Sequence, residues 1–351
     1  RRARRQFGLG LKGRPGIAAP APENRSGIGS GPPRLEDLLR HRIRNALLSA
    51  GLAAAFLHPG VVLAGTVFVD GGRGNVLVRV PESGSPPFPL IVFLHGYNSN
   101  GAESEAFFAF GDKAEGAGML YAAPDGTQDL LAFRFWNATD GCCDFFQSGV
   151  DDSSYLATLV AAIDSAVGVD PHRLYFIGHS NGGFMSYRMA CDHADGIAAV
   201  VSISGATYDD VAACAPVRPV STLEIHGTSD AVIQYGGGTL PGADGPYPGA
   251  TETAATWAAY NGCESSTVSL DPFDGVDGLP GDETGVELYA SGCSGAVTEL
   301  WTVNGGPHSP VINDTLRDRV IAFLVDAGNR IFTDGFETGS TSAWSSSVGE
   351  P

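Results

Sequence analysis

A chain of 351 residues, 43% of them hydrophobic, can bury a large core as one large domain or as two smaller ones. Its formal net charge is −18, but residues 1–64 carry 11 of the 21 basic residues and only 3 of the 39 acidic ones. The remaining body, with 10 basic and 36 acidic residues, should repel nucleic acids and anionic membrane surfaces, which excludes them as expected partners.

The first 64 residues have the composition of a leader rather than of a folded domain. Three arginines precede an apolar run over residues 46–63, and residues 62–64 supply the small side chains expected before a signal-peptide cleavage point at Gly65. An uncleaved membrane anchor is the alternative, but the run is short for a span and Pro59 interrupts it. We therefore expect a secreted protein that has no membrane attachment once the signal peptide is removed.

Six cysteines follow the leader, which suits an oxidising compartment. Six cysteines allow about 15 sets of pairings, and the sequence alone cannot choose among them. No C-x-x-C pair or histidine cluster accompanies them, so a zinc site is not expected. The six are Cys142, Cys143, Cys191, Cys214, Cys263 and Cys293.

Beyond the leader, the chain alternates strand-like and helix-like segments. Residues 66–69 and 75–80 flank a turn-forming run and predict an antiparallel hairpin. Residues 90–94 form a continuous apolar run, which is typical of a strand buried on both faces of a parallel sheet. Further strands are predicted over residues 119–123, 173–177, 198–203, 220–225 and 297–303. Helices are predicted over residues 153–167, 184–190, 251–260 and 314–327, with Asp152 and Asn313 as N-caps of two of them.

This alternation predicts an α/β fold with a mostly parallel central sheet, an antiparallel N-terminal hairpin and flanking helices. We assign residues 65–331 to one catalytic domain. The polar stretch over residues 332–351, rich in Gly, Ser and Thr, is predicted to be a flexible tail.

The sequence Gly178-His179-Ser180-Asn181-Gly182 is the single G-x-S-x-G match, and it lies where a predicted strand meets a predicted helix. A turn this tight strains the serine backbone and needs small residues on either side, so that the hydroxyl stands above the sheet. We therefore predict Ser180 as a nucleophile; the alternative is a chance Gly/Ser turn.

A serine hydroxyl needs a base, and in the strand–turn–helix hydrolases the acid and then the histidine follow the serine along the chain. His308, on a glycine-rich loop after the last strand, is the only histidine beyond Asp230, so it is the predicted base. Asp230, beyond another strand end, is the predicted acid. His226 is interpreted as a structural residue on a strand edge.

The tetrahedral intermediate of such a reaction needs backbone donors. The amides of Asn181, directly after the nucleophile, and Tyr97, on the loop after residues 90–94, are the predicted pair. His95, Trp136 and His179 are candidate substrate contacts, although a strand-ending turn is the alternative for His95 and a buried core aromatic the alternative for Trp136.

The acidic stretch over residues 271–283 could in principle hold Ca²⁺. Its carboxylates lack the regular spacing of a calcium loop, so a solvated acidic insertion is preferred.

Taken together, these segments resemble the secreted esterases grouped with polyhydroxybutyrate depolymerases and bacterial feruloyl and acetylxylan esterases. The resemblance covers residues 67–327. The segments that carry it are Phe93-Leu94-His95-Gly96-Tyr97, Trp136-Asn137-Ala138, Cys142-Cys143, Gly149-Val150-Asp151-Asp152, Gly178-His179-Ser180-Asn181-Gly182-Gly183, Ile225-His226-Gly227-Thr228-Ser229-Asp230, Tyr235-Gly236-Gly237-Gly238 and residues 257–263.

The resemblance implies an α/β-hydrolase fold, hydrolysis of carboxylic esters, no metal and no other cofactor. It supports Ser180, Asp230 and His308 as the catalytic triad. It also implies the disulfides Cys191–Cys214 and Cys263–Cys293, which leaves Cys142–Cys143 as a vicinal pair.

The predicted function is that of a secreted serine esterase acting on polymer-linked esters, either hydroxyalkanoates or feruloyl and acetyl groups. Two alternatives remain open. One is a hydrolase of small esters or synthetic polyesters, and the other is a non-catalytic carbohydrate- or polymer-binding protein on the same scaffold.

Overall fold

The computed structural model describes residues 65–333. The leader predicted over residues 1–64 lies outside them, and so does most of the predicted tail. The last helix ends at Thr333, two residues beyond the predicted domain boundary at residue 331.

A ten-stranded sheet runs through the described part of the chain, and two short strands pair separately. The strands are β1 (Gly65–Asp70), β2 (Asn75–Val80), β3 (Phe88–Leu94), β4 (Leu120–Ala122), β5 (Thr127–Gln128), β6 (Arg134–Phe135), β7 (Val169–His179), β8 (Ala199–Ile203), β9 (Ser221–Gly227), β10 (Val268–Phe273), β11 (Thr284–Tyr289) and β12 (Thr298–Val303). Their order across the large sheet is β1-β2-β4-β3-β7-β8-β9-β12-β11-β10.

The six central strands, from β4 to β12 in that order, are parallel, and an antiparallel pair lies at each edge. The mostly parallel sheet and its N-terminal hairpin are therefore confirmed. The second edge pair, β10 and β11, was not predicted from the sequence.

Helices cover both faces of the sheet. They are α1 (Gly101–Phe108), α2 (Gly111–Gly116), α3 (Asp152–Val167), α4 (Asn181–Asp192), α5 (Ala250–Tyr260) and α6 (Asp314–Thr333). One core cluster includes buried residues of α3 and α4, and the other includes buried residues of α2 and α6. No helix within residues 65–333 is long and apolar enough to cross a membrane.

Strand β3 shows why the central strands appear in the sequence as unbroken apolar runs. Leu90, Val92 and Leu94 face one core cluster, while Ile91 and Phe93 face the other, and all five are fully buried. Side chains alternate between the two faces of a strand, so a strand covered on both sides needs apolar residues at every position. Because these central strands are parallel, the carboxyl ends of β3, β7, β9 and β12 lie at one edge of the sheet.

The N-cap of α3 differs from the prediction by one residue. Asp151 is the N-cap, because its carboxylate accepts a hydrogen bond from the Ser154 amide at 2.9 Å. Asp152 is buried instead, and its carboxylate accepts from the Asn137 amide at 2.6 Å and pairs with Arg73. The prediction of Asp152 as N-cap is wrong because a long-range ion pair takes that carboxylate away from the helix end.

The acidic stretch over residues 271–283 is not wholly a solvated insertion. It begins within β10 and ends at Glu283, which is buried and accepts hydrogen bonds from the amides of Gly275 and Val276, both at 2.9 Å. Glu283 therefore anchors the turn before β11. No three His, Cys, Asp or Glu side chains come together as a metal-binding group within residues 65–333.

The structure pairs all six cysteines as disulfides. Cys191–Cys214 ties the end of α4 to the loop before β9, and Cys263–Cys293 joins the segments on either side of the β10–β11 hairpin. Cys142 and Cys143 bond to each other and are buried. This is the pairing that the resemblance implied.

Candidate active site

Ser180 occupies the sharp turn between β7 and α4. Its backbone has φ 54° and ψ −122°, a positive-φ conformation that costs energy for a residue with a side chain. The flanking glycines explain how the turn closes: a Cβ at Gly178 would lie 2.0 Å from the carbonyl oxygen of Gly182, and one at Gly182 would lie 2.0 Å from that of Leu94. The nucleophile elbow predicted from G-x-S-x-G is therefore the observed local geometry.

The structure brings together the three side chains that were expected to act as a unit. His308 Nε2 lies 2.9 Å from Ser180 Oγ, and His308 Nδ1 lies 2.8 Å from Asp230 Oδ2. These residues come from the ends of β7, β9 and β12, which the parallel sheet places at one edge.

The Asp230 carboxylate is buried but well supplied with donors. Its Oδ1 accepts hydrogen bonds from the amides of Val232 and Ile233, at 2.8 and 2.9 Å. Burial alone would raise the pKa of Asp230, but hydrogen bonds from His226 and His308 outweigh it and hold that pKa well below its usual range. Asp230 is therefore ionised at neutral pH.

The charge on Asp230 determines which ring nitrogen of a neutral His308 carries the hydrogen. An ionised carboxylate can only accept, so Nδ1 carries the hydrogen. Nε2 of a neutral ring is then free to accept the proton of the Ser180 hydroxyl. This arrangement can generate a serine nucleophile.

Two backbone amides are close to Ser180. The Asn181 amide is the first N–H of α4, and such amides have no partner within their own helix. The loop after β3 also approaches Ser180, because a Cβ at Gly96 would lie 3.4 Å from the Ser180 Cβ. Tyr97 follows Gly96 in the chain, so its amide belongs to the same part of this loop. The assignment of these two amides as oxyanion donors stays a prediction.

A cavity of about 360 Å³ opens over Ser180 and His308. Tyr97, Phe107, Phe108 and His179 supply its aromatic wall. An ester with an apolar or aromatic group could place its carbonyl next to Ser180 from this cavity.

Comparisons with known proteins agree with this geometry. A model of the alpha/beta hydrolase fold family matches residues 156–347, more than half of the chain. The chain belongs to the alpha/beta hydrolase fold family.

Curated relatives of this α/β hydrolase include two fungal proteins. It is 29% identical to feruloyl esterase B of Piromyces equi over 246 residues, which is 67% of this chain but only 42% of that protein. It is 24% identical over 263 residues to feruloyl esterase D of Neurospora crassa, covering 71% of this chain and 78% of the relative. Among solved structures, acetyl xylan esterase from Aspergillus awamori aligns with a TM-score of 0.51 at 16% identity, over 74% of this chain and 98% of that one. The last comparison supports the fold alone.

Two of the three predicted substrate contacts lie beneath the site of this α/β hydrolase. His95 and Trp136 have no exposed surface, so neither lines the cavity. The Trp136 backbone exchanges two hydrogen bonds with the Asn181 side chain, at 2.7 and 2.8 Å, and its indole N–H donates to the His95 carbonyl at 3.1 Å. The prediction that His95 and Trp136 contact the substrate is therefore wrong. They support the site instead, because these hydrogen bonds join the loop after β3 to the start of α4.

His179, the third predicted contact, does line the cavity. Its Nε2 donates to the His308 carbonyl at 2.9 Å, and its ring packs on Phe108 with the centroids 4.9 Å apart. Burial and the neighbouring His308 ring lower the pKa of His179 to about 4, so it is neutral at physiological pH. It holds the His308 loop while forming part of the cavity wall.

Three residues at the site were missed from the sequence, and a fourth, His226, was interpreted only as a structural residue. Phe107 and Phe108 lie on α1, which was not predicted, although Asn100 followed by Glu103 is a helix-start signal. Glu224 and His226 form a buried pair behind Asp230, and no local pattern distinguishes such a pair from an ordinary strand.

We expect Gly182→Ala to lower both stability and activity. The new methyl group would collide with the Leu94 carbonyl at the end of β3, and only a shift of the backbone can relieve this collision. Overpacking of this kind costs about 1–3 kcal/mol or more, and the shift would move the loop that carries Tyr97. Thermal unfolding and kcat/KM on a soluble ester measure the two effects.

Gly196→Ala is the matched control, because a Cβ at Gly196 meets nothing within 4 Å. Equal stability and activity in the two variants would contradict the close approach of α4 to β3.

Proposed function

We propose that this protein is a secreted serine esterase that hydrolyses polymer-linked carboxylic esters through an acyl-enzyme on Ser180. The observation that carries the proposal is the hydrogen-bonded series from Ser180 Oγ through His308 to Asp230 at the floor of an open cavity. The relatives named feruloyl esterases support carboxylic ester hydrolysis as the activity.

In the first half of the reaction, Ser180 Oγ attacks the ester carbonyl carbon while its proton moves to His308 Nε2. The carbonyl oxygen becomes an oxyanion beside the amides of Asn181 and Tyr97, where donors are most effective in the transition state. Asp230 stabilises the imidazolium electrostatically and keeps its own charge. When the C–O bond to the alcohol breaks, His308 returns the proton to the departing oxygen, which leaves the acyl group on Ser180.

In the second half, water replaces the alcohol. His308 Nε2 takes one proton from the water as its oxygen attacks the acyl carbon, and a second oxyanion forms beside the same amides. Collapse breaks the bond to Ser180 Oγ, which recovers a proton from His308, and the carboxylic acid departs.

The cavity supports an ester with an apolar or aromatic group. Phe107 and Phe108 stand on one side of the opening, and 43% of the Phe107 surface is exposed. A cavity of about 360 Å³ is near the lower end of the size range of small-molecule sites, so most of a polymeric substrate would extend outside it.

The proposal includes secretion of the protein. Three disulfides within residues 65–333 suit an oxidising compartment, in line with the leader predicted over residues 1–64, which consists of upstream residues followed by a signal peptide. Residues 65–331 would then act as the catalytic domain.

Hydrolysis of four substrates by the purified protein tests the proposal. Methyl ferulate and acetylated xylan represent plant-wall esters, polyhydroxybutyrate film represents hydroxyalkanoates, and p-nitrophenyl acetate reports esterase activity of any kind. We expect activity on the p-nitrophenyl ester and on at least one polymer-related substrate, lost in Ser180→Ala.

The pattern of activity separates the alternatives. Hydrolysis of the p-nitrophenyl ester alone would indicate a hydrolase of small esters or synthetic polyesters. Activity on none of the four, from a folded protein, would favour a non-catalytic binding protein and contradict the proposal.

A further inference from the structure

A second histidine lies against the carboxylate that His308 uses. His226 Nε2 is 3.5 Å from Asp230 Oδ2, the same oxygen that accepts from His308 Nδ1 at 2.8 Å. His226 is 1% exposed and is not part of the cavity wall, so it does not meet substrate. The acid therefore stands between two imidazoles, only one of which reaches Ser180.

The hydrogen bonds of His226 restrict where its protons are. Nε2 lies 2.8 Å from the Ile233 carbonyl, which can only accept, so Nε2 carries a hydrogen. Nδ1 lies 2.9 Å from Glu224 Oε1, and that contact needs one proton between its two atoms. Either the ring is an imidazolium facing an ionised Glu224, or a neutral ring accepts from a protonated Glu224.

The surroundings favour the imidazolium. The ring lies between two buried carboxylates, and the second oxygen of Glu224 already accepts from the Tyr187 hydroxyl at 3.0 Å. Burial opposes a charge on either partner and raises the pKa of Glu224, but at the ring the hydrogen bonds with Asp230 and Glu224 outweigh burial and raise the pKa of His226 to about 10. A neutral ring would leave the ionised Asp230 without a buried cation beside it.

The elements packed around His226 place further polar and titratable groups near its ring. On β12, Thr302 lies opposite His226 and its hydroxyl bonds to that of Tyr235 at 2.7 Å, while the Tyr235 ring stands edge-on to the imidazole. Tyr187 approaches from α4 and reaches Glu224. Among residues 65–333, His308 and His179 are further titratable groups near the cluster. None of these neighbours is an anion that could take the place of Asp230 or Glu224.

We propose that protonated His226, held by Glu224, is a positioning residue for the catalytic acid. It fixes the orientation of Asp230 and offsets part of its negative charge, so the pH at which activity falls on the acid side depends on His226. This inference rests on the proposed serine esterase function, because it assigns a partner to that site's acid.

His226→Gln tests the inference, since glutamine is neutral and keeps an N–H donor for the Ile233 carbonyl. Loss of a buried cation near Asp230 makes protonation of the neighbouring base easier, so the acid limb of the kcat/KM profile should move to higher pH by about 0.5–1 unit. A less well oriented acid should also lower kcat/KM by about tenfold or more.

Thr222→Val is the matched control. It removes a buried hydrogen bond from the same strand, between the hydroxyls of Thr222 and Thr298 at 3.0 Å, without touching Asp230. We expect lower thermal stability with an unmoved acid limb. If the acid limb of His226→Gln superimposes on that of the wild type, the role assigned to His226 is wrong.

A measurement on the wild-type protein does not depend on the variant folding. In ¹⁵N-histidine NMR at about pH 8, one ring should carry protons on both nitrogens, while an unperturbed histidine is neutral at that pH. Spectra with neutral rings only would overturn the proposal. Failure of the esterase function is distinguishable, because it would appear as an inactive wild type whatever the charge on His226.

Discussion

Replacing Ser180 by alanine is expected to reduce kcat about a million-fold, to the rate that binding and the backbone donors alone can support. The variant lacks the only atom that can form the acyl bond, while His308 and Asp230 stay in place. Steady-state hydrolysis of p-nitrophenyl acetate measures the loss. The fold should persist, because alanine is no larger than serine and the Gly178 and Gly182 contacts do not change.

Ser204→Ala is the matched control for this loss. Ser204 also ends a central strand with a positive φ, of 56°, and is fully buried. Its hydroxyl has no hydrogen-bond partner within residues 65–333, so its removal should cost little. A similar fall in kcat for both variants would indicate damage to the strand ends rather than loss of a nucleophile.

Replacing Asp230 by asparagine is expected to lower kcat by about 10⁴-fold with little change in shape. Asparagine has an NH₂ group that can face His308, which favours the tautomer with hydrogen on Nε2. That nitrogen could no longer accept the Ser180 proton. A pH–rate profile for p-nitrophenyl acetate, with circular dichroism to verify folding, measures the effect.

The same substitution has a consequence for stability. The folded pKa of Asp230 lies below its usual value, so the ionised carboxylate contributes stability that is present above the unfolded pKa and lost as pH falls. Asp230→Asn should therefore be less stable than the wild type at neutral pH, with the difference shrinking on acidification. Asp209→Asn, at an exposed position, should match the wild type throughout. Activity of Asp230→Asn within tenfold of the wild type would show that Asp230 is not the acid.

Much of the fold could be predicted because its signals are local. Strand β3 has apolar side chains at every position, and the hairpin of β1 and β2 is marked by the glycine-rich turn between them. The elbow at Ser180 needs small neighbouring residues, and the short G-x-S-x-G motif shows them in the sequence. Chain order then singled out Asp230 and His308 as candidates before any distance was known.

The remaining features depend on contacts between distant segments. Asp152 was predicted as a helix cap, but its partner Arg73 lies 79 residues away and nothing in the local sequence indicates it. Burial of His95 and Trp136 likewise follows from the way the loop after β3 packs on α4. The pairing of Glu224 with His226 can be read as simple alternation on β9, and only the fold shows that His226 in turn lies against Asp230.

Labelling with a fluorophosphonate probe tests the central proposal most directly, because the probe bonds only to a serine activated as a nucleophile. The wild type and Ser204→Ala should each gain one adduct by intact mass, and peptide mapping should place it on Ser180. Ser180→Ala should gain none. Absence of an adduct on the folded wild type, or equal labelling of Ser180→Ala, would contradict a serine esterase centred on Ser180.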